Sequence, residues 1–253
     1  MQIRAIKTHK ITEEDTDITQ ILDKYLQGIV KEKSVVAISS KIVAICEGSI
    51  VKVDGVHKDA LVEEEADMYL PRTSNKYGVC ISIKNGMFIA SAGIDESNGN
   101  GNFVLWPKDP QQSANIIREY LSKKFGLSEI GVIITDSKSA PLRWGVTGVA
   151  IAHSGFSYLN SYVGQPDVFG RLLHVEKVNV PDTLAAAAVG EMGEGQEQTP
   201  LAIIADAQFV HFQQRNPSSE ELAALAIRME DDMYAGLLTK GAWQNGHAKR
   251  NRD

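Results

Sequence analysis

Cysteine is scarce in this chain of 253 residues, with only Cys46 and Cys80 present. Neither sits in a metal-ligand pattern, which excludes a disulfide framework and a cysteine-based zinc site and makes a reducing, cytoplasmic compartment the expectation. The six histidines, at positions 9, 57, 153, 174, 211 and 247, have no zinc-site spacing. Long apolar runs are missing too: nothing approaches the ~20 residues of a membrane span. Charges interrupt Met1-Gln-Ile-Arg-Ala-Ile-Lys7 too soon for a secretory signal. Positive charge is not in excess. With 26 basic and 32 acidic residues the net charge is −6, which argues against a nucleic-acid partner. The one basic cluster, Lys249, Arg250 and Arg252, reads as a solvated tail. No Walker loop occurs, and no Gly-x-Gly-x-x-Gly opens a helix after a strand, so nucleotide binding would need another scaffold.

What is present is an ordinary globular composition, 43% hydrophobic and 23% charged, enough for a sizeable core. Ile18, Ile21, Leu22, Tyr25, Leu26 and Ile29 predict an amphipathic helix over about 17–31. Val35–Ile38 and Ser49–Val53 read as strands, and 58–70 as a helix. Residues 79–84 and 87–91 flank Asn85-Gly86, a strong hairpin signal. Asp109-Pro110 opens a helix that Gly126 ends. Strands are expected at 131–135, 149–153, 172–180 and 201–205. Pro181-Asp182 opens a helix through Leu184–Val189, whose alanines permit close approach of another backbone. Ser218-Ser-Glu-Glu221 is a capping-box start for a helix carrying Leu222, Leu225, Met229 and Met233, and the end after Gly246 reads as frayed. Strands arranged both as hairpins and between helices indicate an α+β fold with a mixed or mostly antiparallel sheet and helical layers. The expected division is 1–215 as the main domain and 216–253 as a C-terminal helix and tail.

Two segments carry the chemistry: Ser91-Ala-Gly-Ile-Asp-Glu-Ser-Asn-Gly-Asn-Gly101 and Gly131-Val-Ile-Ile-Thr-Asp-Ser137. Each runs an apolar stretch into an aspartate, Asp95 or Asp136, followed by small hydroxyl or glycine residues. Such strand ends suit a divalent cation beside phosphate oxygens. Each aspartate alone equally fits a turn former or helix cap. The amides and glycines of 96–101 suit an anion cradle, and a long surface turn would share that composition. Ser39-Ser40-Lys41 offers an ammonium to phosphate and Arg143 a second cation, although surface ion pairing explains either. Glu191, Glu194 and Glu197, with Gln196 and Gln198, form an acidic glycine-bearing loop that suits a third metal ligand or a plain connection. His153 reads as packed rather than catalytic, and Trp106 and Trp144 as core or rim.

In order, Ser40-Lys41 with Glu47-Gly48, Ala92-Gly-Ile-Asp-Glu-Ser-Asn98, Ile134-Thr-Asp-Ser137 and Met192-Gly-Glu194 resemble the coenzyme F-420-0:γ-glutamyl ligase family. Pro141-Leu-Arg-Trp-Gly145 and the Tyr162–Arg171 stretch extend the likeness over roughly residues 5–212. The resemblance implies that family's fold, an intertwined homodimer and amide formation driven by ATP or GTP. It implies two divalent cations, Mg²⁺ or Mn²⁺, with K⁺ as a further candidate. In that picture Asp95, Asp136, Ser137 and Glu194 hold the metals. Asp95, Asp136 and Arg143 serve catalysis. Ser40, Lys41, Asn98, Met192, Gly193, Gly195, Gln196 and Thr199 surround the nucleotide. The γ-phosphate passes to an acceptor carboxylate, and the amine of L-glutamate attacks the acyl phosphate.

The chain also departs from the family pattern. It has Ile45 where a second lysine is common, Arg143-Trp-Gly-Val-Thr-Gly148 for an Arg-Arg-Gly-Gln-Thr-Asp stretch, and Thr8-His-Lys-Ile11 for a Gly-Ile-Pro-like segment. Glu194 stands where glutamine is frequent. These changes favour a folate or pterin acceptor of the bacterial branch, with the deazaflavin F-420-0 as the alternative. A non-catalytic nucleotide- or metal-binding protein and a two-metal phosphohydrolase are the competing classes. The second expects additional His or Asp ligands beside the aspartates, and none is near in sequence.

Overall fold

The computed structural model describes residues 1–248. The basic cluster at 249–252 lies outside them. The chain forms two compact units. The first comprises Met1–Glu47, Pro107–Ser137 and Val146–Pro217, and the second Gly48–Trp106, Lys138–Gly145 and the residues from Ser218 onward. The architecture is α+β with mixed sheets, as expected.

The first unit is built on a five-stranded sheet ordered Gln2–Ile6, Leu201–Ala205, Ser34–Ser39, Ile130–Ser139, Val146–Ser154. The two strands at its centre, Ser34–Ser39 and Ile130–Ser139, run parallel with Ser39 opposite Thr135. Leu201–Ala205 is antiparallel to both of its neighbours. Alternation along the strands decides what covers each face. Val36, Ile38, Val132, Ile134, Leu201 and Ile203 pack with helices Ile18–Leu26, Ser40–Cys46 and Pro110–Phe125. Val35, Ala37, Ile133, Ala202 and Ile204 pack with helix Val180–Met192. Burial on both faces explains why the central strands read as unbroken apolar runs rather than alternating ones.

Helix Val180–Met192 packs directly on the strand backbone at Gly148. A β-carbon there would lie 2.2 Å from the Ala185 carbonyl oxygen, so the small residues of Leu184–Val189 admit a strand backbone as their composition predicts. Helix Pro110–Phe125 starts as expected, with Asp109 accepting from the Gln112 amide and Gly126 left-handed at its end. Glu47 ties that start down from 61 and 66 residues away, accepting from the Lys108 amide at 3.1 Å and the Ser113 hydroxyl at 2.5 Å. A short antiparallel pair, Leu159–Ser161 with Lys177–Asn179, carries the turn-rich segment between them.

The second unit has an antiparallel sheet ordered Gln244–Asn245, Met68–Leu70, Ile81–Lys84, Met87–Ala90, a smaller pair Ile50–Lys52 with Asn102–Val104, and helix Lys58–Glu65. Leu61, Val62, Ala66, Tyr69, Cys80, Ala92, Ile94 and Phe103 form its core. The Asn85-Gly86 hairpin is formed, with positive φ at both positions (53° and 74°).

Several local expectations are corrected. The first helix spans Ile18–Leu26 rather than reaching residue 31, because Gln27 leaves the helical region (φ −58°, ψ 126°) and Gly28 turns the chain at positive φ (73°). The 58–70 helix stops at Glu65; Ala66 is extended, and Met68–Leu70 joins the sheet. Strand 172–180 contracts to Lys177–Asn179. The capping box of Ser218 and Glu221 is formed, yet its helix is only Ser219–Ala223. Of the end that reads as frayed, His247 and Ala248 are docked, their amides donating to the carbonyls of Glu63 and Ala66 as the Gly246 amide does to Asp67, and the rest lies outside the described residues. Strand Gln2–Ile6 and helix Ser40–Cys46 add two elements that the sequence pattern does not predict.

Candidate active site

Sheet register builds the site in the first unit. Because Ser39 and Thr135 are paired on parallel neighbours, Ser40-Lys41 and Asp136-Ser137 leave adjacent strand ends. Parallel strands deliver their carboxyl ends to one edge, the usual place for ligands in such sheets. The 193–200 loop reaches the same edge, since Leu201 is opposite Ile38 and the Pro200 carbonyl accepts from the Ser39 amide at 2.9 Å. The Thr8 amide donates to the Gln198 carbonyl at 2.9 Å and adds the N-terminal segment.

The decisive contact joins residues 57 apart: the Ser137 hydroxyl donates to Glu194 Oε1 at 2.5 Å. Both are among the residues that the family resemblance assigns to the metals. Asp136 is half-buried and accepts from the Ser137 amide at 2.7 Å. Ser40 is buried and Lys41 half-buried. The loop is held from within. Glu197 accepts from the Gly195 amide at 2.8 Å, and the Thr199 hydroxyl donates to the Met192 carbonyl. Gly193 is extended at positive φ (φ 79°, ψ 165°), a conformation essentially confined to glycine, and a β-carbon there would meet the Glu197 carboxyl carbon at 2.5 Å. Glu197 is therefore committed to shaping the loop, while exposed Glu194 faces Ser137. Met192, Gly193, Gly195, Gln196 and Thr199 all belong to this loop or its root.

Nearby, burial and then the carboxylates of Asp15, Asp17 and Glu47 push the Cys46 thiol up to about 12. It stays a neutral thiol at physiological pH.

Asp95, Asn98 and Arg143 belong to the second unit. Asp95 is bridged to Val104 in both directions, and its Oδ1 accepts from the amide and hydroxyl of Ser97 at 3.0 and 2.9 Å. It therefore does form the turn that its position also suggests. Before it, Ser91, Ala92 and Gly93 are all left-handed (φ 51°, 52°, 71°). That conformation costs about 1–2 kcal/mol for each non-glycine residue. Buried Ser82 holds this turn, accepting from the Ala92 amide at 2.7 Å and donating to the Ile89 carbonyl at 2.6 Å. Strain retained beside a carboxylate is a feature of functional segments. Asn98 (φ 55°), Asn100 (φ 51°) and Gly101 (φ 82°) continue the irregular backbone. Arg143 lies in an exposed turn.

Among the described residues no three His, Cys, Asp or Glu side chains cluster as a metal cage. His153 is packed, at 5.4 and 5.1 Å from the rings of Phe156 and Tyr158. Trp106 is core, whereas Trp144 is 91% exposed. A groove of about 750 Å³ at the other end of the first unit's strands, between Gln2–Arg4, Lys31–Ser34 and Ala205–Phe212, contains none of the expected residues.

Comparison with known proteins gives the family. The family model described as F420-0:Gamma-glutamyl ligase matches residues 5–206. The chain belongs to that ligase family. It is thus an enzyme that forms amide bonds. Similar relatives include the coenzyme F420:L-glutamate ligase of Methanopyrus kandleri, 31% identical over 221 residues, covering 80% of this chain and 86% of the relative. That of Methanococcus maripaludis strain C7 is 33% identical over 209 residues, with 77% and 83% coverage. That of Methanocaldococcus jannaschii is 40% identical over 126 residues, half of each chain. The names of these relatives carry coenzyme F420, where the departures from the family pattern suggest folate. Among the described residues of the ligase, no helix is long and apolar enough to cross a membrane.

Proposed function

We propose that this ligase joins L-glutamate to coenzyme F420-0 at the expense of a nucleoside triphosphate, GTP or ATP. The Ser137–Glu194 contact carries the reading, because it unites the strand end and the distant loop that such a site requires. The relatives' name supports the acceptor. Such phosphoryl transfer depends on positioning and charge neutralisation more than on a protein nucleophile. A cysteine held neutral and a histidine packed among aromatic rings are consistent with that.

The residues fit Mg²⁺ or Mn²⁺ in one respect: Asp136, Ser137 and Glu194 present hard oxygen atoms at one edge. Two carboxylates with substrate phosphates completing the sphere is a usual Mg²⁺ arrangement. Such cations, with K⁺ as a candidate companion, would neutralise phosphate charge when bound. Asp95 is the remaining candidate ligand. Lys41, leaving the strand beside Asp136, offers an ammonium to phosphate oxygens, and the Gly193–Gly195 backbone admits close approach of the nucleotide. Asn98 and Arg143 complete the proposed set. The acceptor carboxylate takes the γ-phosphate to form an acyl phosphate, the glutamate amine attacks it, and phosphate leaves.

The homodimer belongs to the same proposal. The segment between Leu159–Ser161 and Lys177–Asn179 exposes Val168 and Phe169, each 93%, together with Leu172 and Val175. Isolated exposed apolar residues are normal, but a concentrated arm of them marks an interaction surface. Asp136→Asn should abolish turnover while leaving the circular dichroism spectrum and melting temperature near wild type. Full activity in that variant, or turnover in the presence of excess chelator, would refute the metal-bearing strand end.

A further inference from the structure

Beside Arg143, the second unit exposes two rings that neither the metal–nucleotide edge nor the arm absorbs. The turn at 140–145 places Leu142 and Trp144 at 99% and 91% exposure. It is a defined turn: the Arg143 amide donates to the Ala140 carbonyl, Leu142 is left-handed (φ 59°), and Gly145 follows at φ 86°. Trp144 meets the ring of Tyr77 edge-on, with centroids 6.3 Å apart and planes at 86°. Tyr77 is itself 62% exposed on a fixed turn, its amide donating to Asn75 Oδ1, while the Asn75 side-chain amide donates to the Val79 carbonyl. Lys76 Nζ lies 5.1 Å from the Tyr77 ring centroid, and Arg143 directly precedes Trp144.

Two large rings set at right angles and left in water are an unusual use of aromatic area, since each would bury ~150–250 Å² in a core. Lys76 lies over one face of Tyr77, while Trp144, almost fully exposed, keeps ring surface open to a flat partner. Two cations at the pair's margin favour a negatively charged one. The acceptor of an amide-forming ligase must carry a carboxylate, and a deazaflavin and a pterin alike have a flat fused ring. We propose that Trp144 and Tyr77 form the stacking corner for the planar heteroaromatic part of the acceptor, with Arg143 and Lys76 meeting its negative charge. This rests on the ligase reading above and adds to it the residues that select the acceptor. It also gives a role to Trp144, one of the positions at which this chain departs from the Arg-Arg pattern of the family.

Truncating one stacking ring should weaken binding about 5- to 100-fold, the range seen for aromatic–base stacks. The test titrates the full chain, without nucleotide, with coenzyme F420-0 and separately with folate, using wild type, Trp144→Ala, Tyr77→Ala and Trp144→Phe. The expected result is affinity for one of the two falling by that factor in both alanine variants and staying within about threefold in the phenylalanine variant. Equal affinity in wild type and Trp144→Ala, or no binding of either compound to wild type, overturns the inference. So does a Trp144→Ala protein that sediments as a monomer where wild type is a dimer, which would make the corner a contact between copies. Glutamylation of F420-0 that ignores Trp144→Ala would sink the corner and leave the ligase reading standing. Trp144-dependent binding of folate alone, without glutamyl transfer to F420-0, would do the reverse.

Discussion

Replacing Gly148 by alanine probes the packing that carries the 193–200 loop. The added β-carbon would sit 2.2 Å from the Ala185 carbonyl oxygen and 2.7 Å from both the Ala185 carbonyl carbon and Val189 Cγ2. Ordinary contact begins at 3.4 Å, so strand Val146–Ser154 and helix Val180–Met192 must part by about 1 Å. The obstacle is backbone and cannot swing aside. Overpacking of this kind costs about 1–3 kcal/mol, and in a chain of this size that lowers the melting temperature by roughly 2–12 °C. The helix ends at Met192, two residues before Glu194. Its displacement therefore reaches the Ser137–Glu194 contact, and a misplacement near 1 Å can cost about 100-fold in rate. Thermal melts and glutamylation rates measured together check both parts. Gly190→Ala is the control: it lies in the same helix, and its β-carbon would meet nothing within 4 Å. It should be neutral or stabilising by up to ~1 kcal/mol. A Gly148→Ala protein as stable and active as wild type would refute the close-packing argument.

Ser82→Ala should lose about 1–3 kcal/mol, because the Ala92 amide in the left-handed turn before Asp95 is left buried without its acceptor. Denaturant melts check this, and a change below about 0.5 kcal/mol would contradict it. Cys46, its thiol pushed up to about 12 chiefly by burial, should resist thiol reagents at pH 8 until the protein is unfolded. Because the folded thiol holds its proton above the ordinary value, its contribution to stability is intact below about pH 9 and declines as pH rises toward 12. Asp17 caps helix Ile18–Leu26, and the Thr19 hydroxyl and amide hold its carboxylate below the usual range. Asp17→Ala should cost about 1 kcal/mol at pH 7. That cost should shrink as pH falls through the depressed value, where native Asp17 is also protonated, and stability followed from pH 7 downward tests the sign.

How much of the fold is legible in the sequence depends on how local the signal is. The Asn85-Gly86 hairpin, the Asp109 and Ser218 caps and the alanine helix are readable because each is decided within a few residues. A helix over 58–70 is too long because Met68, Tyr69 and Leu70 fit either a helical face or a strand, and only pairing with Ile81–Ile83 decides for the strand. Strand Gln2–Ile6 lacks a turn signal of its own and exists through its antiparallel pairing with Leu201–Ala205. For the site, residue types are legible and their partners are not. Nothing in the order of Glu194 and Glu197 says which one faces Ser137 and which closes the loop on the Gly195 amide. Glu47, part of a motif in the sequence, anchors the start of a helix more than 60 residues away. The register of Ser39 against Thr135, which places Lys41 and Asp136 on one edge, is a property of the sheet alone.

The central claim is that phosphate chemistry at the Asp136–Ser137–Glu194 edge makes an amide with glutamate. Mass spectrometry of purified protein incubated with coenzyme F420-0, L-glutamate, Mg²⁺ or Mn²⁺ and GTP or ATP tests it most directly. The account predicts acceptor mass increments equal to glutamyl residues, matched by released phosphate and absent in Asp136→Asn and Glu194→Ala. Phosphate release without a glutamyl product, or unaltered product in both variants, would contradict it.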